Sequence, residues 1–190
     1  ILKFSFLKKN IIVTFNPETI SVKKSKNQIN VLLQSLKSVI KDTRIIFTMS
    51  IADHESQVIK SEILKFVKKN KNAIFFNSLG SSNYYNVVRY SDMIIGNSSS
   101  GVIEAPYLKT PSINIGKRQE GRDLSKSVFK CNFKKNQIIK IIKFIYKNKS
   151  KIKYDYLYGN GNSTKKIVSI LEKQKLKSIL SKNFTNFKIL

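Results

Sequence analysis

The chain has 190 residues, enough for one domain with a terminal extension, and its hydrophobic content of 41% can supply a core. No apolar run approaches the roughly 18 residues that a membrane span requires. The formal net charge is +25, but the lysines are spread over nearly every segment and arginines are few, a pattern that argues against base-reading nucleic-acid binding.

The only cysteine, Cys131, bears on the cellular compartment. One thiol cannot form an internal disulfide, and it has no metal-ligating neighbours at a useful spacing. We therefore predict a small buried side chain, a reducing cytoplasm and no metal site. The sequence starts at Ile1 rather than Met, so we expect it to be part of a longer protein.

Short apolar runs alternate with helical periodicity along the chain. The predicted strands are 11–15, 45–49, 73–76, 93–95, 112–115 and an edge strand at 128–131. The predicted helices are 25–40, 58–67, 84–90, one between residue 100 and Pro111, 138–146 and 164–171. Because the strands are continuously apolar, both faces of their sheet should be covered. The pattern predicts an α/β fold with a doubly wound, Rossmann-like parallel sheet.

Polar or glycine-containing turns follow the predicted strands. They comprise Asn16, 50–53, 77–80, 97–101 and 116–118. Parallel sheets of this kind bind ligands just outside the carboxyl ends of their strands. The sequence therefore predicts a binding site at this edge of the sheet.

The turn after the fourth strand contains three successive serines, Ser98, Ser99 and Ser100. Hydroxyl and N–H groups at the start of a helix suit a diphosphate, although one of these serines could simply cap the helix. Glu104 follows one turn into the predicted helix, where its carboxylate could accept both hydroxyls of a ribose. Its alternative is a surface glutamate favoured by the positive helix end.

Two arginines, Arg118 and Arg122, lie just beyond the fifth strand in a chain that otherwise prefers lysine. A planar guanidinium fork suits phosphate better than an ammonium group does. Tyr84 and Tyr85 follow a glycine-containing loop and could stack on a base, or could pack in the core.

The only histidine, His54, stands between Asp53 and Glu55. Adjacent side chains diverge, so this spacing does not make a metal site, and we predict His54 to be a solvated loop residue. The sequence contains no nucleophile elbow, Walker loop or dinucleotide glycine fingerprint.

Several stretches in a fixed order carry a family resemblance. They are VTFNPET, IIFTMSIAD, NAIFFNSLGSSNYY, GNSSSGVIEAP, PSINIGKRQEGR and YGNGNSTKKI. Together they resemble the hydrolysing UDP-N-acetylglucosamine 2-epimerases, and within these the branch that serves sialic and legionaminic acid synthesis. The resemblance covers roughly residues 10–172.

The resemblance implies a two-lobed, glycosyltransferase-B-like enzyme, of which this chain is the C-terminal, UDP-binding lobe over residues 1–172. Residues 173–190 would form a helical extension or tail. The implied UDP-binding residues are Tyr84 beside the uracil, Ser98, Ser99 and Ser100 at the diphosphate, Glu104 at the ribose, and Arg118 and Arg122 near the nucleotide sugar. Asn16 occupies the position of a family histidine, and it and Asp53 are the implied catalytic positions.

The implied reaction eliminates UDP from the sugar and adds water, giving N-acetylmannosamine or a diacetamido analogue for nonulosonate synthesis. The acids that drive the elimination belong to the first lobe, so we expect this chain alone to be inactive. The resemblance implies no cofactor and no membrane partner. It implies a UDP-sugar substrate and a missing N-terminal lobe, and it leaves a homodimer open.

The chain departs from the family pattern at four positions. Asn16 replaces the histidine, Ile51 replaces a frequent Asn, Glu55 replaces a Gly, and Lys117 replaces a common Asp. An amide cannot exchange a proton near pH 7, so the change at Asn16 favours a catalytically degenerate UDP-binding lobe as one alternative. The others are a glycosyltransferase-B-type UDP-sugar transferase and, more remotely, a basic nucleic-acid-binding protein.

Overall fold

The fold is organised around one six-stranded parallel sheet. The computed structural model describes residues 4–18, 24–49 and 54–174. The strands are β1 (Lys9–Thr14), β2 (Thr43–Thr48), β3 (Ala73–Phe76), β4 (Met93–Gly96), β5 (Ser112–Ile115) and β6 (Val128–Cys131). Their order across the sheet is β3-β2-β1-β4-β5-β6. The predicted doubly wound sheet is confirmed, with β6 at one edge.

In the described ranges, six α-helices connect or follow the strands. They are α1 (Ser25–Lys37), α2 (His54–Lys69), α3 (Ser81–Tyr90), α4 (Glu104–Tyr107), α5 (Lys135–Asn148) and α6 (Ser163–Lys173). Short 3-10 helices occupy Ile40–Asp42, Ser99–Gly101 and Lys149–Lys151. The prediction of one helix over 25–40 is wrong at its end, because α1 stops at Lys37 and a separate 3-10 turn leads into β2.

The helix predicted between residue 100 and Pro111 is also wrong in its form. The Ser98 side chain accepts a hydrogen bond from the Ser100 N–H, which tightens the start of the segment into a 3-10 turn. Only four residues then form α4, and Lys109, with φ of +57°, ends it. Glu104 is consequently the first residue of α4 and not a residue one turn inside a longer helix.

Two other predictions concern the start of α2, namely the place of His54 and the first residue of the helix. His54 is the first residue of α2, so its predicted place in a loop is wrong. The helix begins at His54, earlier than the first apolar position, Val58, predicted. Ile51 and Asp53 lie outside the described residues.

Apolar side chains cover both faces of the sheet. On β1, Ile11 and Val13 point into the larger core, which contains residues of α1, α2 and α5. Ile12 between them points into a smaller core on the other face, with Val87 and Val88 of α3. Burial on both faces explains why the strands are continuous apolar runs.

The strand order reverses at β1, which pairs with β2 on one side and with β4 on the other. Loops leaving β1 and β4 therefore diverge to opposite faces and open a crevice at the carboxyl ends of these strands. At the end of β4, a Cβ atom on Gly96 would collide with the carbonyl oxygen of Thr14. Only glycine lets the two chains approach this closely where the crevice begins.

The chain divides into two compact units, Ile1–Leu157 and Tyr158–Leu190. The first unit contains the whole sheet, and the described part of the second contains α6. Within the described ranges, no helix combines the length and apolarity that crossing a membrane requires. The division predicted at residue 172 stays a prediction.

Candidate functional site

A cleft of about 270 Å³ opens at the carboxyl ends of β1 and β2, and we name it the Tyr84 cleft. Its walls include Thr14, Thr48, Tyr84, Ser100 and Glu104. Three of the residues predicted to bind UDP therefore share one cavity. Tyr84 belongs to α3, and Ser100 and Glu104 to the connection between β4 and β5, so two segments meet here at the carboxyl ends of the parallel strands.

Tyr84 forms a fixed wall of this cleft. Its hydroxyl donates a hydrogen bond to Ser100 Oγ at 2.7 Å and lies 3.5 Å from Thr14 Oγ1. Burial raises the pKa of Tyr84, and the hydrogen bonds to Ser100 and Thr14 oppose this only in part. The phenol therefore stays protonated at ordinary pH and keeps donating to Ser100. Tyr85 is 42% exposed and meets Tyr84 edge to face.

The serine turn, Ser98 to Ser100, leaves backbone donors free. Among the described residues, no acceptor is hydrogen-bonded to the N–H groups of Ser98 and Ser99, whereas the Ser100 N–H is used by Ser98 Oγ. Successive free N–H groups in a turn can hold an anion. This local arrangement takes the place of the long helix N-terminus expected from the sequence.

Glu104 presents an unsatisfied carboxylate oxygen. Its Oε2 atom is buried and has no hydrogen-bond partner in the described part of the chain, although the residue lines the Tyr84 cleft. A buried acceptor without a donor costs about 1–3 kcal/mol. A ligand hydroxyl placed beside Glu104 would remove this cost.

Asn97 joins three loops at the crevice and is completely buried. Its side chain accepts from the Asn16 N–H and donates to the Asn16 carbonyl oxygen, each at 2.8 Å. Its own carbonyl oxygen accepts from Arg118 Nη1 at 3.2 Å and from Gln119 Nε2 at 2.8 Å. The loops after β1, β4 and β5 are thus held together through one residue, and Arg118 is held next to the serine turn.

Glu18 provides a second link between the loops after β1 and β5. Its carboxylate accepts from the Lys117 N–H and from Gln28 Nε2, both at 2.9 Å. A Cβ atom on Gly116 would collide with this carboxylate and with the Phe133 ring. The close approach explains why glycine stands between β5 and the loop that carries the arginines.

The predicted site residues do not all come together. Arg122 lines a different cleft, which shares no residue with the Tyr84 cleft. Asn16 is fixed through its backbone by Asn97, and its carboxamide has no hydrogen bond to any described residue. Asp53 falls outside the described ranges. The binding and catalytic roles of these residues stay predictions.

Sequence reasoning missed Asn97, Gln119 and Glu18 as residues that hold the site. Asn97 directly follows Gly96 at a predicted strand end, and a polar side chain at that place was a usable signal. Its partner Asn16 is 81 positions away, and no local pattern connects the two. Among the described residues, no group of three His, Cys, Asp or Glu side chains is placed to hold a metal ion.

Comparison with known proteins places this geometry in a family. The sequence profile of the family described as UDP-N-acetylglucosamine 2-epimerase matches residues 2–172. This chain belongs to the UDP-N-acetylglucosamine 2-epimerase family. The resemblance seen in its motifs is confirmed.

Two curated relatives are similar over the larger part of the chain. A polysialic acid biosynthesis protein P7 of Escherichia coli is 41% identical over 137 residues, which are 72% of this chain and 34% of the relative. A GDP/UDP-N,N'-diacetylbacillosamine 2-epimerase (hydrolyzing) of Campylobacter jejuni is 38% identical over 122 residues, 64% of this chain and 32% of the relative. The chain thus matches about one third of the length of each of these two relatives.

Among solved structures, the UDP-GlcNAc 2-epimerase of Methanocaldococcus jannaschii in complex with UDP-GlcNAc and UDP is similar with a TM-score of 0.69. The identity is 20%, and the match covers 87% of this chain and 46% of that one. At this identity the likeness concerns the fold. It confirms the glycosyltransferase-B-like architecture at the level of one lobe.

Proposed function

We propose that this chain is the UDP-sugar-binding lobe of a hydrolysing UDP-N-acetylglucosamine 2-epimerase. The single observation that carries the proposal is the Tyr84 cleft, where the buried, unpartnered Oε2 of Glu104 lies with Tyr84 and Ser100. A carboxylate acceptor, an aromatic wall and free backbone N–H groups are the complements of a ribose, a base and a diphosphate. Family membership supports the same assignment.

The proposed pose of UDP follows from these groups. The diphosphate accepts hydrogen bonds from the N–H groups of Ser98 and Ser99, beside the Arg118 guanidinium. The ribose hydroxyls donate to Glu104, which satisfies its buried oxygen. The uracil lies against the ring of Tyr84. Asn97 does not contact the UDP but holds the serine turn and Arg118 in position.

In the intact enzyme, we propose that this lobe stabilises UDP as it leaves. The bond between sugar C1 and the diphosphate oxygen breaks, and the electron pair moves onto that oxygen. A base of the first lobe removes the C2 proton, so a C1–C2 double bond forms, and water addition then releases the free sugar. Donors aimed at the developing charge lower the barrier because they need no reorganisation.

The substrate and setting form part of the proposal. The relatives support a 2-acetamido or diacetamido nucleotide sugar that feeds nonulosonate synthesis. The buried free thiol of Cys131 supports a reducing cytoplasm. A first lobe is required for turnover. A homodimer of such two-lobed chains is compatible with this proposal.

Calorimetric titration of the purified chain with UDP and with 2'-deoxy-UDP tests the binding proposal. If Glu104 contacts the ribose, the native chain prefers UDP by about tenfold, and Glu104→Gln removes most of that preference. Glu172→Gln, which makes the same charge change on α6, should leave both affinities unchanged. Absence of saturable UDP binding at millimolar concentration would overturn the proposal.

One observation favours a second candidate, a binding lobe without catalytic function. Asn97 holds the backbone of Asn16 at both its N–H and its carbonyl oxygen, so the residue at this point of the crevice is an amide, which cannot exchange a proton near pH 7. In the intact two-lobed protein, Asn16→His should raise turnover if a proton-transfer group is what is missing. If the Asn16→His variant binds UDP but still shows no detectable turnover, that result would support the non-catalytic lobe.

A further inference from the structure

A second cleft of about 230 Å³ lies at the carboxyl ends of β5 and β6. We name it the amide cleft, after its lining residues Asn114 and Gln119, with Lys117, Arg122, Lys130 and Asn132 around them. It shares no lining residue with the Tyr84 cleft. The proposed pose of UDP does not use this cleft, although Arg122, which the resemblance places near the nucleotide sugar, is among its lining residues.

Gln119 brings an unsatisfied acceptor to the amide cleft. The residue is 4% exposed, and its Oε1 atom is buried without a hydrogen-bond partner in the described part of the chain. Its Nε2 atom donates to the Asn97 carbonyl at 2.8 Å, so rotating the amide to hide Oε1 would break that bond. The fixed oxygen therefore needs a donor from outside the described residues.

Asn114 adds a second polar group that the fold does not use. It stands on β5, paired with Gly96 and Lys130 in the neighbouring strands, and is 4% exposed. Its side chain makes no hydrogen bond to any residue that the structure describes. A carboxamide placed in a core strand is costly unless its donor and acceptor find partners, and this one lines the cleft.

The rim of the amide cleft is positive. Lys117, Arg122 and Lys130 line it against a single acid, Glu120. Within the described ranges, none of the three cations is engaged in a salt bridge. A ligand held here can thus pair a negative charge with the rim while its hydroxyls reach the amides.

We propose that the amide cleft binds a small hydroxylated anion, either a sugar acid or a sugar phosphate. The anion meets the basic rim, and hydroxyl groups donate to Gln119 Oε1 and exchange hydrogen bonds with the Asn114 carboxamide. The volume suits a ligand of about monosaccharide size. The two clefts have no lining residue in common, so the sugar and the nucleotide should be able to bind at the same time.

Four probes separate the required features of the ligand. Gluconate and glucose 6-phosphate carry both charge and hydroxyls, glucose lacks the charge, and inorganic phosphate lacks the carbon hydroxyls. In calorimetric titrations with UDP present at saturation, gluconate, glucose 6-phosphate or both should bind more tightly than glucose and inorganic phosphate. The stronger of the two charged sugars identifies a carboxylate or a phosphate as the preferred anion.

Charge-removing variants then locate the site. Lys130→Gln and, independently, Lys117→Gln should each weaken binding of the charged sugar by about fivefold. Lys140→Gln on α5, outside the cleft, makes the same charge change and should have no effect. All three should retain UDP affinity, which also shows that they fold.

Three results would overturn the proposal. The first is charged sugars that bind no better than glucose and inorganic phosphate, which would leave a cleft that holds only water. The second is displacement of the sugar by UDP, which would make the cleft part of the nucleotide site. The third is equal affinity in the two cleft variants and in Lys140→Gln.

Discussion

Single side chains form the polar and aromatic walls of the Tyr84 cleft, and Tyr84 contributes to these walls in two ways. Its ring forms a wall, and its hydroxyl fixes the Ser100 hydroxyl at 2.7 Å. The proposed contact with uracil needs the ring, whereas the order of the serine turn needs the hydroxyl. These two contributions can be separated by two substitutions.

Tyr84→Phe should keep UDP affinity within about threefold of the native value because the ring remains, while Tyr84→Ala should lose about tenfold or more with the stacking surface. The phenylalanine variant should also lose about 1 kcal/mol of unfolding free energy with its hydrogen bond to Ser100. Calorimetry and urea denaturation measure the two effects. Equal affinity losses in both variants would show that the hydroxyl, and not the ring, contacts the nucleotide.

Cys131 gives the fold a pH dependence on the alkaline side. Burial raises the pKa of the Cys131 thiol from 9.0 to about 12. The unfolded chain therefore loses this proton at lower pH than the folded chain, and the stability present below pH about 9 declines as pH rises toward about 12.

The unfolding free energy should accordingly fall more steeply from pH about 8 to about 10.5 in the native chain than in Cys131→Ala. Tyr84 and Tyr146, whose pKa values burial also raises, titrate in both proteins and cancel in the comparison. Urea denaturation at several pH values provides the two slopes. Parallel slopes would mean that the thiol is accessible to water in the folded state.

Residues that line the Tyr84 cleft were predictable where the residue type itself suits a ligand. Tyr84, Ser100 and Glu104 carry groups suited to a nucleotide, and the parallel sheet brings them to one cleft. For Asn97 the sequence offered only its place after a strand, and for Gln119 and Glu18 no signal, because the partners of all three include backbone atoms of other loops. Their effect depends on tertiary proximity that no local pattern records.

At the scale of secondary structure, the junction of β1 and β4 decides whether the crevice can form. β4 ends at Gly96, whose missing Cβ leaves room for the Thr14 carbonyl. Asn97 follows at once and bonds to the loop after β1. The hydrogen bonds of Asn97 therefore depend on the close approach of β4 to β1, and they hold the two strand ends together in turn.

Gly96→Ala should reduce the unfolding free energy by about 3 kcal/mol or more, since β1 and β4 would have to separate. The matched control is Gly80→Ala. Gly80 has φ of +67° and ψ of 160° with open space around it, so alanine there costs only the backbone strain of about 1–3 kcal/mol. Similar losses in urea denaturation would show that contact with Thr14 is not the limiting feature.

The strands were predicted well, and the helix after Ser100 was not. The central strands β1 and β4 were expected from continuous apolar residues, and burial on both faces produces that signal. The helix after Ser100 was overestimated because its apolar periodicity suited a helix, while a side-chain cap and an early end divide the segment in two. Local hydrogen bonds outweighed the periodic pattern there.

Across the whole molecule, the charge is the dominant feature. The chain carries +25 at pH 7, with 36 basic against 11 acidic residues. Repulsion among these charges opposes the compact state, since folding brings them closer together. Few are neutralised by pairing, and the four described salt bridges lie at the surface.

The melting temperature should therefore rise when sodium chloride is increased from about 20 mM to about 300 mM, as the Debye length shortens from roughly 20 Å to below 8 Å. A neutral sugar at equal osmolality serves as the control and should give a smaller rise. Differential scanning calorimetry measures both. A melting temperature that salt lowers would mean that the surface ion pairs contribute more than the repulsion costs.

The central position of β1 has a consequence for the time at which the protein becomes able to hold a ligand. A ribosome delivers β1, β2 and β3 first, and these three can pair in order of appearance. Asn16 must wait for Asn97, 81 positions later, before the crevice has its second side. If the proposed site holds UDP, the nucleotide should protect the finished sheet against unfolding but not the incomplete sheet that precedes it. During synthesis, the nascent chain therefore passes through a stage in which the edge of β1 is exposed and no nucleotide can stabilise it.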